Sequence, residues 1–258
     1  MSNPINVSGK IILVTGGYGH LGKAIVRDLE AHGATVLVIG RDQSKFSETF
    51  GRVSGNILFR KGDVSSSSDI EEVFAETVKE YNRIDVLINN AFYSAGQSPE
   101  QMTDDEWSVG MDGALGSVFR CIRAIIPIMK NQRSGKIINV ASMYGMVAPD
   151  FRAYDNSPNF LNPPHYGAAK AGVIQVTRYY ASYLGKDGIT VNCVSPGPFP
   201  SQAVQADQDF IARLRERTVL GRIGSPEELS GLFVFLSSEA ANFITGQNIA
   251  VDGGWTIR

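Results

Sequence analysis

Twelve consecutive residues near the start of the chain decide the fold: Ile11-Ile12-Leu13-Val14-Thr15-Gly16-Gly17-Tyr18-Gly19-His20-Leu21-Gly22. They combine an apolar run typical of a buried strand, a glycine-rich turn and the start of a segment with helical periodicity. A glycine-rich turn between a strand and a helix can hold a pyrophosphate against the helix N-terminus. A tight turn without a ligand has the same pattern, so other motifs must decide between the two.

The alternation of strand and helix continues along the chain. Short apolar runs predict strands at residues 11–14, 35–39, 57–59, 86–88, 136–140, 190–194 and 248–251. Helical periodicity predicts helices at residues 21–31, 70–81, 104–129, 166–185 and 226–236. This order favours parallel strands joined by right-handed crossovers. We therefore predict a doubly wound α/β fold of the Rossmann type, with about seven parallel strands, helices on both faces and a single domain over residues 1–258.

The composition argues against several other classes of protein. The 258 residues are 43% hydrophobic and 19% charged, and the formal net charge of -2 provides no basic field for nucleic acid. No stretch reaches the roughly 18 apolar residues of a membrane span, and residues 1–10 lack the apolar run of a signal peptide. We expect a cytoplasmic protein without a nucleic-acid or membrane partner.

The cysteines and histidines do not have the spacing of a metal site. Cys121 and Cys193 lie in apolar segments, so we interpret them as core thiols. His20, His32 and His165 are far apart in sequence, and no two of them stand four residues apart on one helix. We predict no metal and no disulfide.

Three side chains have a pattern suited to proton transfer. Tyr166 and Lys170 are four residues apart and hence on one face of the predicted helix. A phenol with an ordinary pKa of about 10 is a poor base near neutrality, and a nearby cation favours its ionised form. Ser142 follows the strand predicted at residues 136–140, where its hydroxyl can polarise a substrate oxygen. The glycines of a hydrolase's nucleophile elbow are missing around Ser142, which disfavours hydrolysis.

Polar residues also follow the third and fourth predicted strands. Asp63-Val64 and Asn89-Asn90-Ala91 come where open α/β sheets bind ligands. Each of these two segments, taken alone, is also compatible with an ordinary turn.

Together these motifs resemble the short-chain dehydrogenase/reductase family, with its Thr-Gly-x-x-x-Gly-x-Gly turn, Asn-Asn-Ala-Gly, serine and Tyr-x-x-x-Lys. The similarity runs from about Lys10 to Val251-Asp252-Gly253-Gly254. It implies that Ser142, Tyr166 and Lys170 are catalytic, that Asp63 holds the adenine and that Asn89 lies along the adenine ribose. The full set of cofactor contacts implied by the resemblance is Gly16, Tyr18, His20, Leu21, Arg41, Asp63, Val64, Asn90, Ala91, Lys170, Pro196, Gly197 and Ser201.

The end of the second predicted strand bears on the choice of cofactor. Gly40 stands where relatives that use NAD usually carry aspartate, and Arg41 can pair with a 2'-phosphate. This pattern predicts NADP. NAD stays open, because Asp42 can accept hydrogen bonds from a ribose and Arg41 can simply begin a solvated helix.

Three residues depart from the family pattern. His20 replaces the second motif glycine, Phe92 ends the Asn-Asn-Ala motif where glycine is usual, and Ala114 stands where the family commonly carries the asparagine of its proton relay. Asp112 lies two positions from Ala114, on a different helix face, so we do not expect it to substitute directly. We expect slower turnover or a rerouted relay.

Ser142 and Tyr166 are 24 positions apart, farther than the family pattern implies, which indicates an insertion within residues 148–165. We predict long loops at residues 148–165 and 196–209. Polar residues of the insertion suit a polyhydroxylated or anionic substrate, and others can wall it: Arg152, Tyr154, Asp155, Asn156 and Asn159 for the first group, Phe151 and Phe160 for the second. A surface loop or an oligomer contact is the alternative.

The sequence thus predicts an NADP(H)-dependent oxidoreductase that interconverts a carbonyl and a secondary alcohol, on a sugar acid or glycan precursor. One alternative is a 3-oxoacyl thioester reductase, although no basic cluster indicates a binding surface for a carrier protein. Another is a dinucleotide-binding regulator without turnover, which the three departures favour and the intact Ser142, Tyr166 and Lys170 disfavour. Residues 231–236 and 246–255 resemble the family's subunit-packing surfaces, so we expect a homo-oligomer, either a tetramer or a dimer.

Overall fold

The computed structural model describes residues 5–51 and 55–258. The expectation that residues 1–10 contain no signal peptide falls partly on residues 1–4, which lie outside the described residues. Within the described ranges, no helix has both the length and the apolar character needed to cross a membrane.

The described residues form one parallel sheet with the order β3-β2-β1-β4-β5-β6-β7. Its strands are β1 (Ile11–Thr15), β2 (Thr35–Gly40), β3 (Ile57–Lys61), β4 (Val86–Asn89), β5 (Gly135–Val140), β6 (Ile189–Pro196) and β7 (Asn248–Val251). The strand order reverses between β1 and β4, which opens a crevice at the carboxyl ends of these strands. The predicted doubly wound α/β fold is confirmed.

Helices cover both faces of the sheet. They are α1 (His20–Ala31), α2 (Gln43–Phe50), α3 (Ser67–Tyr81), α4 (Asp104–Met111), α5 (Ser117–Gln132), α6 (Pro164–Leu184), α7 (Gln202–Gln205), α8 (Gln208–Arg217) and α9 (Pro226–Ser237). Leu13 of β1 packs in the core on one face, whereas Ile12 and Val14 pack in the core on the other. Burial on both faces explains why the strands are continuous apolar runs rather than alternating ones.

The helix predicted at residues 104–129 is interrupted. A π-helical segment, Asp112–Gly116, separates α4 from α5, and the Ser117 N–H donates to the Asp112 carbonyl five residues earlier. The Ser117 hydroxyl also donates to the Gly113 carbonyl at 2.8 Å, which occupies a second backbone acceptor in this segment. A π-helical turn contains one more residue than an α-helical turn, and the spacing of apolar residues in the sequence does not reveal it.

Three helices, α2, α7 and α8, were not predicted. Helix α2 is capped by Asp42, whose carboxylate accepts the Lys45 N–H, and it buries Phe46 and Phe50. The loop predicted at residues 196–209 is wrong in its second half, because α7 and the start of α8 lie there. The proline-rich beginning of that segment concealed the helices that follow.

Candidate active site

The turns that follow β1 and β4 hold each other in place. The Asn90 side-chain amide donates to the carbonyls of Thr15 and Gly16 at 3.1 and 3.0 Å. In return, the Thr15 hydroxyl accepts the backbone N–H groups of Asn90 and Ala91, each at 3.0 Å. This cross-brace fixes the glycine-rich turn at the crevice.

The glycine-rich turn depends on a close approach of backbone to backbone. A Cβ added at Gly22 would lie 2.6 Å from the Gly16 carbonyl oxygen and 2.8 Å from the Gly17 Cα. Helix α1 begins after Gly19 without a side-chain cap, so its first N–H groups are available to an anion. His20, which replaces a motif glycine, is exposed at the first position of this helix.

A cavity of about 520 Å³ extends from this turn to the end of β5. All the residues predicted to contact the cofactor line it except Asn89 and Ser201. The lining residues are Gly16, Tyr18, Gly19, His20, Leu21, Gly22, Ile39, Gly40, Arg41, Gly62, Asp63, Val64, Asn90, Ala91, Phe92, Tyr93, Val140, Ala141, Ser142, Tyr166, Lys170, Pro196, Gly197 and Phe199.

At the end of β2, the Tyr18 ring occupies the space that a side chain at Gly40 would take. A Cβ added at Gly40 would lie 2.3 Å from Tyr18 Cε1. The Tyr18 hydroxyl accepts the backbone N–H groups of Arg41 and Asp42 at 3.1 and 3.3 Å. The phenol therefore occupies the position that an aspartate side chain at residue 40 would take.

Asp63 and Arg41 face each other across this end of the cavity. The Asp63 Oδ2 atom lies 3.6 Å from Arg41 Nη1, and the Arg41 side chain is 70% exposed. Burial works against ionisation of Asp63, but hydrogen bonds from Ser65 and the charge of Arg41 outweigh it and lower the pKa of this carboxyl. The exposed Arg41 guanidinium is accessible to a second anion.

The predicted catalytic residues meet at the opposite end of the cavity. Ser142 follows β5 and is buried, and its Oγ accepts the Tyr144 N–H at 3.2 Å. Tyr166 lies in the first turn of α6, and Lys170 lies one turn later with its Nζ donating to the Val140 carbonyl at 2.7 Å. The Lys170 Nζ is 5.7 Å from the centroid of the Tyr166 ring.

The environment shifts the titration of both groups. Burial raises the pKa of Tyr166, and its interaction with the Ser142 hydroxyl opposes this only in part. Burial lowers the pKa of Lys170 to about 8. A nearby cation was expected to favour the phenolate, whereas burial keeps the net pKa of Tyr166 above its ordinary value.

Phe92 projects into the cavity where the family motif has glycine. Its ring packs edge-on against the Tyr166 ring at a centroid distance of 5.3 Å and is 46% exposed. The Lys170 Nζ lies 5.7 Å from the same ring. Phe92 thus contacts both groups of the Tyr-x-x-x-Lys motif.

Ala114, at the expected asparagine position, is fully buried within the π-helical segment. Nearby, Asp112 accepts hydrogen bonds from Arg120 at 2.8 and 2.7 Å and from the Tyr93 hydroxyl. The Arg120 bonds, together with the Tyr93 bond, lower the pKa of Asp112. Because Asp112 is committed to these partners, it does not replace the missing amide.

Two expected cofactor contacts are corrected by the structure. Asn89 is buried inside the sheet and donates to Asn139 Oδ1 at 2.8 Å, because a side chain within a strand of the central sheet faces the core. Ser201 lies beyond Phe199 and lines a neighbouring cavity instead. Sequence reasoning also missed Tyr93 and Phe199, which line the main cavity and follow directly after recognised motifs.

Two further cavities adjoin Tyr166 on the side away from the glycine-rich turn. The inner cleft, of about 250 Å³, is lined by Ser142, Met143, Tyr144, Tyr154, Phe160, Asn162, Tyr166, Gly197, Pro198, Phe199, Pro200, Val204, Phe210 and Leu214. The outer cleft is lined by Phe92, Ser94, Ala95, Gly96, Gln97, Asn162, Pro163, Tyr166, Phe199, Pro200, Ser201 and Val204. Both clefts are open to the candidate catalytic tyrosine.

The insertion at residues 148–165 forms a wall of the inner cleft. Its 3-10 turn Phe151–Tyr154 packs on α8, where Arg213 donates to the Ala153 carbonyl at 2.9 Å and to the Ser157 hydroxyl at 2.7 Å. Of the residues expected to offer polar groups, only Tyr154 lines a cleft. The others are exposed, because the insertion turns its apolar side toward α8: Arg152, Asp155, Asn156 and Asn159.

Comparisons with known proteins agree with this arrangement. A family model described as enoyl-(acyl carrier protein) reductase matches residues 19–256. The 3-oxoacyl-[acyl-carrier-protein] reductase of Vibrio cholerae is 33% identical over 97% of this chain and 98% of its own length.

Solved structures agree over the whole fold. A short chain dehydrogenase from Leptospira borgpetersenii with bound NAD+ has a TM-score of 0.88 and 32% identity, covering 99% of this chain and 96% of that one. A gluconate 5-dehydrogenase from Burkholderia cenocepacia, in complex with NADP and tartrate, has a TM-score of 0.88 and 27% identity, covering 99% and 98%. The chain belongs to the short-chain dehydrogenase/reductase family and is an oxidoreductase of that family.

Proposed function

We propose that this chain is an NADP(H)-dependent oxidoreductase that interconverts a carbonyl and a secondary alcohol, and that residues 1–258 act as one Rossmann-type domain. One observation carries the proposal. Ser142, Tyr166 and Lys170 line one end of a cavity whose other end is the glycine-rich turn. A regulator that only binds dinucleotide has no need of this second set of groups.

The cavity fits a dinucleotide. Gly22 leaves the backbone of the turn free to approach a pyrophosphate, and the uncapped start of α1 offers N–H donors to it. Asp63 would hold the adenine, and Lys170 the nicotinamide ribose. The remaining contacts are assigned to the lining residues Gly16, Tyr18, His20, Leu21, Arg41, Val64, Asn90, Ala91, Pro196 and Gly197.

The choice of NADP over NAD rests on the end of β2. Tyr18 fills the site above Gly40, so no carboxylate at position 40 opposes a 2'-phosphate, and the exposed Arg41 guanidinium, which also faces Asp63, can pair with it. Structures similar to this chain carry NAD+ in one case and NADP in another. NAD stays the alternative cofactor.

A nicotinamide cofactor held by these residues would supply the hydride for reduction of the carbonyl carbon, or accept it in oxidation of the alcohol. In reduction, the Tyr166 hydroxyl donates its proton to the carbonyl oxygen, while the Ser142 hydroxyl donates a hydrogen bond to the same atom. The raised pKa of Tyr166 keeps the phenol protonated before it is used. Lys170, charged below its pKa of about 8, favours the phenolate that proton donation leaves behind.

Two substrate classes have support from relatives. The Vibrio cholerae protein is named a 3-oxoacyl-[acyl-carrier-protein] reductase, and the Burkholderia cenocepacia protein a gluconate 5-dehydrogenase. A sugar acid or glycan precursor and a 3-oxoacyl thioester are therefore both candidates for this chain.

We also propose a homo-oligomer, a tetramer or a dimer. The described part of β7 pairs with β6 only, and its surroundings expose Phe243 and Ile257. A second exposed aromatic surface on α5 and α6 includes Phe119, Tyr179 and Tyr183. Exposed apolar surfaces of this kind are typical of subunit contacts.

The test is NADPH oxidation by the purified protein with a panel of carbonyl substrates, run beside Tyr166→Phe. We expect the variant to bind NADPH with unchanged affinity and to lose about 1000-fold or more in kcat, because the proton donor is removed while the ring remains. Binding is followed by nicotinamide fluorescence. Equal kcat in the variant and the wild type would contradict the assigned role of Tyr166.

A further inference from the structure

The substrate side of the site is aromatic but uncharged. Among the residues that the structure describes around the inner and outer clefts, the lining includes no Asp, Glu, Lys, Arg or His. A carboxylate buried there would have no counter-charge in the lining of the clefts, and burial of an unpaired carboxylate is strongly unfavourable. The clefts therefore disfavour a sugar acid.

Charged residues of the neighbouring elements are paired behind the wall rather than facing the cleft. Arg217 donates to Asp150 at 3.0 Å, and the Ser157 hydroxyl donates to Asp207 at 3.0 Å. Arg213 is bonded to the insertion backbone and to Ser157. These bonds fix the insertion on α8 and hold the charged side chains away from the cleft, so the lining of the cleft is uncharged.

The inner cleft is nevertheless polar at one place. The Tyr154 hydroxyl donates to the Tyr144 hydroxyl at 2.8 Å and accepts from the Asn162 amide at 2.9 Å. Tyr144 and Tyr154 are buried, and all three residues line the inner cleft. We call them the Tyr144–Tyr154–Asn162 chain.

The Tyr144–Tyr154–Asn162 chain has unused hydrogen-bonding groups at both ends. Tyr144 accepts a bond from Tyr154 and so keeps its own O–H to donate, and Asn162 keeps a carbonyl oxygen to accept. An entirely apolar substrate would cover these groups without pairing them, at a cost in affinity. Phe160, Phe199 and Phe210 supply the apolar surface for the carbon skeleton.

We propose that the substrate is a neutral, hydroxylated carbonyl compound, such as a keto-sugar without a carboxylate, and that the Tyr144–Tyr154–Asn162 chain binds one of its hydroxyl groups. The proposal rests on the function proposed above. It assigns the insertion a direct role in substrate specificity.

The experiment compares kcat/KM with NADPH for four probes: a series of neutral ketoses including D-fructose, 5-keto-D-gluconate, acetoacetyl-CoA and 2-octanone. The variant is Tyr154→Phe, which keeps the ring packed on Phe210 and removes both bonds of its hydroxyl. Tyr81→Phe, at the far end of α3, is the matched control.

We expect the best ketose to exceed the other probes by about 10-fold or more, and Tyr154→Phe to lower its kcat/KM about 10-fold with the loss mainly in KM, because one hydrogen bond to a hydroxyl is weakened. The control should change nothing. Preference for the keto-acid, the thioester or the simple ketone would overturn the inference and leave the proposed oxidoreductase function standing. So would a ketose activity that Tyr154→Phe does not alter. Absence of turnover with every probe, despite NADPH binding, would count against both.

Discussion

The two halves of the active-site crevice are built differently. The cofactor half is formed by short turns at the ends of β1 to β4, where residues adjacent in sequence act together. The substrate half joins segments distant in sequence, as when Gln97 donates to the carbonyls of Asn159 and Leu161 at 2.8 and 2.9 Å. The first half is set by local backbone geometry and the second by packing of an insertion, so substitutions should affect cofactor and substrate separately.

The strongest test of this separation is Gly22→Ala. The new Cβ would meet backbone atoms of the glycine-rich turn at 2.6 and 2.8 Å, which a side-chain rotation cannot relieve. We expect NADPH affinity to fall by about 100-fold or more, because the pyrophosphate can no longer approach the backbone N–H groups of the turn and loses several hydrogen bonds. Calorimetric titration measures it.

The matched control for Gly22→Ala is Gly185→Ala. Gly185 has a φ of -56° and no neighbouring atom within 4 Å of an added Cβ. It should bind NADPH as the wild type does. If both alanine variants bound NADPH normally, the cofactor half would not depend on backbone approach at this turn.

A smaller effect is expected at the end of β2, where Tyr18→Ser combined with Gly40→Asp should reverse the cofactor preference. The serine clears the ring that a side chain at position 40 would meet, and the carboxylate accepts ribose hydroxyls and repels a 2'-phosphate. We expect the ratio of NADPH to NADH affinity to fall by about 10-fold or more.

Fluorescence titration with both cofactors measures this ratio, and Tyr18→Ser alone serves as the control that keeps Gly40. A wild-type protein that bound NADH at least as tightly as NADPH would contradict the choice of NADP itself. A double variant that kept the wild-type ratio would contradict the role given to Tyr18.

The same contrast explains what the sequence predicts well. The seven strands and the lining of the cofactor cavity follow from apolar runs and from turns whose residues are neighbours in sequence. Even there, the motif did not reveal that the Asn90 amide braces Thr15 and Gly16, because a bond across 75 positions leaves no local pattern.

The substrate half was predicted less well for a physical reason. Polar residues of the insertion suggested a polar cleft, but which of them face inward depends on packing against α8, a helix that was itself hidden behind a proline-rich start. Phe210 and Leu214, four residues apart and both buried, were the available signal for that helix. Ser201 was misplaced for a related reason, because the chain from Pro196 carries it past Phe199 to the outer cleft.

The smallest predicted effect concerns Lys170, which stands where the two halves meet. Its folded pKa of about 8 lies below its ordinary value of 10.5, so between these values the unfolded chain binds more protons than the folded one. Stability must then rise with pH through this window. Lys136, whose burial also lowers its pKa to about 8, adds to the same slope. Burial raises the pKa of Cys121 and Cys193 from 9.0 to about 12, which opposes the rise above about pH 9.

We therefore expect the free energy of unfolding without cofactor to rise between pH 8 and 9, by about 1 kcal/mol for each of the two lysines. Lys170→Met should remove about half of this rise and leave the part due to Lys136. Urea unfolding at pH 7, 8 and 9 measures it, and the exposed Lys186→Met variant controls for the loss of one positive charge. An unchanged slope in Lys170→Met would mean that the ammonium is better solvated than its burial and its bond to Val140 imply. The boundary between the two halves would then be open to water before any ligand binds.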